Sequence, residues 1–127
     1  MTTAAGAVQY LRWRKDVADH DYAAASSYLS IRYGEKRAQE VSEKLKKLPV
    51  IQRRANDILR ATQRDPLPLS DPGVLRDLQK VLSGEKLSPI LVAEADIADG
   101  YHRASLAYAL DPYALVPLKL GSPELGS

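Results

Sequence analysis

Apolar positions recur at spacings of three and four through the first half of the chain, then give way to short apolar runs in the second. The spacing predicts a first helix over 4–15, with Val8 and Leu11 on one side, and a second from about Tyr22 to Tyr33. In the second, Tyr22, Ala25, Leu29 and Tyr33 share a face. Asp19 or Asp21 can cap it, because a carboxylate accepts the free N–H groups of a first turn. Gly34 follows as a stop. A third helix runs from Glu35 to Leu48, with Ala38, Val41, Leu45 and Leu48 as its stripe, and Pro49 ends it. Ile51 to Thr62 reads as a fourth, with Arg53, Asp57, Arg60 and Arg64 along one side. Residues 65–72 contain three prolines and read as an extended connector. Asp71 then caps a helix that starts at Pro72 and ends near Gly84. The run Leu87 to Ala93 has a strand signature. Ile97 to Asp99 is a second strand, Tyr101 to Leu110 a helix, and Val116 to Leu120 a last strand, in which Pro117 points to a sheet edge.

Charge and composition narrow the class more than the function. The formal net charge is +2, too small to argue for nucleic acid. Residues 1–50 carry nine Lys/Arg against six Asp/Glu, and residues 71–127 carry five against eight. The basic front half reads mainly as solvated helix faces, so nucleic-acid contact is not favoured. The absence of cysteine excludes disulfides, thiolate metal sites and cysteine nucleophiles, and fits a reducing compartment. No apolar run is long enough for a membrane helix, and no signal peptide is recognisable. The expectation is a cytoplasmic protein without membrane contact.

The chemistry concentrates in Asp99-Gly100-Tyr101-His102-Arg103. A glycine between a strand and a helix allows a sharp turn and close approach to the backbone. The first N–H groups of the helix and its positive dipole end then face that turn, which suits an anion. His102 and Arg103 add donors, and Asp99 can orient His102, take a proton or hold a phosphate-bound metal ion. A purely architectural alternative exists: Asp99 caps the helix, Arg103 pairs with it, and His102 is a half-buried polar residue. No protein-built metal site is expected.

The residues Gly84, Ser88-Pro89-Ile90-Leu91-Val92 and Ile97 to Ser105 give the span Leu75–Leu120 an order of parts that resembles the ParB/sulfiredoxin superfamily. The resemblance implies a small domain with a short mixed sheet. It implies that Gly100, His102 and Arg103 contact the phosphates of a nucleotide of the ATP or CTP type; Tyr101, whose ring beside the turn could gate the pocket or stack on a base, and Ser88 on the neighbouring strand complete the expected binding set, with Mg2+ as the expected companion ion. The Asp-Gly-x-His-Arg form is similar to members described as free-serine kinases, which would make Asp99 and His102 catalytic. Sulfiredoxins carry cysteine where this chain has Tyr101, so their redox chemistry is excluded. The partition-protein branch carries Gly-Glu-Arg-Arg where this chain has Gly100-Tyr101-His102-Arg103, and no helix-turn-helix is expected after the domain.

The expected architecture is therefore α+β. Residues 1–70 form a helical extension packed on the core, which could bring Arg60 to the same cleft. Residues 71–120 form the phosphate-binding core, and 121–127 a flexible tail. The expected ligand is a nucleotide or phosphorylated small molecule, with phosphoryl transfer or hydrolysis left open. The alternative is a non-catalytic nucleic-acid- or protein-binding regulatory module.

Overall fold

The computed structural model describes residues 5–121. The fold is α+β, with five α-helices and a four-stranded mixed sheet among the described residues. A short 3-10 helix, Ala5–Tyr10, is followed by α1 (Asp19–Tyr33), α2 (Glu35–Lys47), β1 (Ile51–Arg54), α3 (Ala55–Ala61) and α4 (Pro72–Leu82). Then come β2 (Ile90–Ala93), β3 (Asp96–Asp99), α5 (Tyr101–Leu110) and β4 (Leu115–Gly121). The strand order is β1-β4-β2-β3. β2 runs parallel to β4, and the two outer strands are antiparallel to their neighbours.

The strands alternate their side chains between two cores. Leu91, Ala93 and Ala98 face the α1–α2 hairpin, packing with Ala25, Leu29, Val41 and Leu45. Ile90, Val92, Ile97, Val116 and Leu118 face α3 and α5, packing with Ile58, Leu59, Ala104 and Ala107. A third cluster, built on Val74, Val81, Leu87, Leu106 and Leu110, seats α4 against α5.

Three elements depart from the pattern reading. The segment 51–54 is a strand, not the first turn of a helix, because it pairs with residues far along the chain: Ile51 opposite Leu118 and Arg54 opposite Leu115. The N-terminal segment makes one short 3-10 helix, and Trp13 then runs beside Leu87 in a parallel bridge, with Arg14 N–H donating to Leu87 O at 2.8 Å. β4 is an inner strand rather than an edge. Its proline is tolerated because pairing with β2 begins only at Leu118, so at Pro117 the strand has β1 as its neighbour on one side alone. Gly121 is the last residue of β4, and the remainder of the expected tail, 122–127, lies outside the described residues, as does the start of the first expected helix.

No helix among the described residues is long and apolar enough to cross a membrane.

Candidate anion site at the start of α5

Asp99 ends β3 and Gly100 turns the chain directly into α5. Gly100 has φ +108°, in the left-handed region that L side chains enter at a cost. Its space is closed as well: a Cβ there would lie 2.9 Å from Arg103 Nη2 and 2.9 Å from Ile90 Cγ2. Just upstream, the β2–β3 register slips, with Leu91 opposite Asp99 and Val92 opposite Ile97, which leaves Ala98 as a bulge. A bulge bends its strand and re-aims the residues beside it. The N-terminus of α5 has no side-chain cap.

Arg103 folds back over Gly100 rather than outward. Its Nη2 donates to Asp99 Oδ2 at 3.0 Å and to Asp21 Oδ2 at 3.4 Å, and reaches Pro89 O at 3.5 Å. The side chain is 17% exposed, and its Nε is buried without a hydrogen-bond partner among the described residues. Asp21, in the first turn of α1, is buried and also meets His20 Nε2 at 3.1 Å. Burial pushes the Asp99 carboxyl above the usual aspartate value, and the neighbouring Asp21 adds to this. The Arg103 guanidinium pulls the other way. Asp77 on α4 is also raised by burial and is opposed by Arg103 first among its cationic neighbours.

His102 points away from that cluster. It is 53% exposed, and its Nε2 lies 3.5 Å from Asp71 Oδ2, so Asp71 rather than Asp99 is the carboxylate facing it. The same Asp71 oxygen caps α4, accepting from the N–H of Gly73 at 2.9 Å and of Val74 at 3.1 Å. The His102 ring lies against Gly73, where a Cβ would come within 2.4 Å of it. Two helix N-termini, those of α4 and α5, are thus joined by one imidazole.

Tyr101 is a strut. Its hydroxyl donates to Asp65 O, and the Arg64 guanidinium covers its ring at 4.8 Å from the centroid. Ser88 is engaged too, its Oγ accepting from Ala18 N–H at 3.0 Å and fixing the entry to α1. Arg60 lies on the exposed side of α3, 3.8 Å from Asp57.

The structure therefore brings together Asp99, Gly100 and Arg103, and sets His102 apart from them beside Asp71. It supplies Asp21 and Asp71 as their acidic partners. The sequence pattern marked both aspartates as helix caps, which is the role Asp71 fills. Asp21 sits inside α1 and turns to Arg103, a long-range pairing without local signal. Arg64, from the same stripe as Arg60, is the arginine that reaches the neighbourhood of Tyr101.

Among the described residues no group of three His, Asp or Glu side chains could hold a metal ion. Comparison with known proteins finds no matching family model, no matching curated protein and no matching solved structure.

Proposed function

We propose that this chain is an α+β domain that binds a phosphorylated ligand, of the nucleotide class, at the N-terminus of α5. The observation that carries the reading is the combination at Gly100 and His102. A left-handed glycine leads into a helix whose first N–H groups have no side-chain cap, and a half-exposed imidazole stands beside them. In this reading the backbone of residues 101–103 and His102 meet the anion. Arg103 holds the turn in shape through Asp99 and Asp21, as a positioning residue. Mg2+ would arrive on the ligand's phosphates. Resemblance to the ParB/sulfiredoxin superfamily at residues 84–105 supports the same site and extends to ATP or CTP.

Phosphoryl transfer or hydrolysis is the stronger form of this proposal, with Asp99 as the base and His102 steadying the transferred group. It requires Arg103 to leave Asp99, since the carboxylate now accepts from the guanidinium at 3.0 Å. That contact favours binding without catalysis. It equally favours a second reading, in which the turn is architecture alone.

A thermal-shift panel separates the two. ATP, ADP, CTP, GTP and inorganic phosphate are each tested with and without magnesium. Saturating ligand should raise Tm by about 4 °C or more, and His102→Ala should abolish the shift while leaving the unliganded Tm close to that of the native chain. No shift with any of them, or a full shift retained in His102→Ala, would leave the turn as architecture.

A further inference from the structure

A second feature lies on the opposite face of the sheet. That face is apolar at Leu91, Ala93 and Ala98, yet β4 places Lys119 on it, only 7% exposed. Among the described residues Lys119 forms no ion pair. Its Nζ donates to Lys46 O at 3.1 Å and lies 5.4 Å from the centre of the Tyr22 ring. A buried ammonium is costly unless it is paired, and an apolar residue of the same length would pack here without that cost. Lys119 also lines a cleft of about 690 Å³ between α1 and α2. That volume lies within the range of small-molecule sites.

The cleft has a graded lining. Its floor is Tyr22, Ser42 and Lys119, all buried, and its rim carries the exposed carboxylates Asp16, Asp19 and Glu43. Glu43 is shared with Lys46 at 3.2 Å. A single anionic group fits against the floor. Lys46 also lines the cleft, 5.9 Å from the centre of the Tyr22 ring, so three rim carboxylates face two ammonium groups and a singly charged anion is favoured over a dianion such as phosphate. Carboxylate oxygens at a rim accept hydrogen bonds, so they suit a ligand whose outer part offers hydroxyl donors.

We propose that this cleft binds a small polyhydroxylated monocarboxylate, of the sugar-acid type, with its carboxylate on Lys119 and its hydroxyls donating to Asp16, Asp19 and Glu43. The site stands apart from the α5 turn and does not rest on its reading.

The test is an amide-resolved NMR titration of the full chain with gluconate, glucuronate and sorbitol. Gluconate or glucuronate should move the amides around Tyr22, Ser42 and Lys119 in a saturable way, and sorbitol should not. Lys119→Met should weaken binding by about tenfold or more, as expected for loss of a charged hydrogen bond. Ser42→Ala serves as the second variant if Lys119→Met fails to fold, and should weaken binding by about threefold or more. Binding of sorbitol as tight as that of gluconate, unchanged affinity in the variant, or no saturable shifts with either acid would overturn the proposal.

Discussion

Arg103 carries the main lesson at the scale of single residues. Its type and position suggest a phosphate ligand, but its guanidinium is turned inward onto Asp99 and Asp21. Removing it leaves two enclosed carboxylates without their cation. Arg103→Ala should therefore cost about 3 kcal/mol or more in stability, read as a lowered urea midpoint. An unchanged midpoint would mean that the pairing contributes nothing to the fold. Asp99 allows a test by pH. Its folded-state pKa lies above the ordinary 3.8, mainly through burial, so the folded chain takes up this proton before the unfolded chain does. The contribution of the group to stability accordingly grows as pH falls through the folded value towards 3.8, and is at its lowest above that range. In Asp99→Asn this rise should be missing, leaving a shallower dependence on pH, with the part due to Asp77 retained. Denaturant melts from about pH 7 to about pH 4.5 would show the slope, and identical slopes in the two proteins would contradict the assignment. Gly73 has an ordinary helical setting, so alanine would by itself favour α4 by about 1 kcal/mol. Because its Cβ would fall within 2.4 Å of the His102 ring, Gly73→Ala should instead displace the imidazole. The His102 ring resonances should move while the fold persists.

The elements separate what local pattern reveals from what it hides. α2 and α4 were legible because each carries its own apolar stripe and its own terminator, α5 because its body is mostly apolar and Asp111-Pro112 ends it, and the Asp71 cap with Pro72 marks the start of α4 in two residues. β2 and β3 were legible as apolar runs around an acidic turn. That turn holds Glu94 and Ala95 at φ +55° and +60°, a hairpin geometry usually given to Gly or Asn. β1 was hidden. Ile-Gln-Arg-Arg is as acceptable in a helix as in a strand, and only its pairing across about half the chain decides the matter. The same holds for the cluster at the hairpin. Asp96, buried, is held by Arg32 and Arg64 at 3.0 Å each, and by the Tyr28 hydroxyl. These partners come from α1 and from the segment after α3, so the cluster fastens the sheet edge to both. Asp96→Ala would leave two arginines facing each other around an empty position. The buried hydrogen bonds that Asp96 accepts would be lost, so stability should fall by about 1–2 kcal/mol, measured by chemical denaturation, and an unchanged midpoint would show the network to be dispensable.

At the scale of the molecule, a four-stranded sheet is covered by α1 and α2 on one face and by α3 and α5 on the other. The expected α+β class was legible from the change of period along the chain. The candidate turn was legible as well, since strand, glycine and helix follow one another without a gap. The pairing of Arg103 with Asp99 was legible too, whereas Asp21, which reaches Arg103 from 82 residues away, was not. The two faces divide the chemistry. The α5 end of the sheet offers uncapped N–H groups and His102, and the α1–α2 side offers Lys119 on the floor of a cleft. The most direct test of the central claim is a 15N amide titration of the full chain with inorganic phosphate, followed at Tyr101, His102 and Arg103. Anion binding at the start of α5 should move these three amides together along one saturation curve. If they stay still while phosphate moves only amides around Lys119 or elsewhere, the turn is not the anion site.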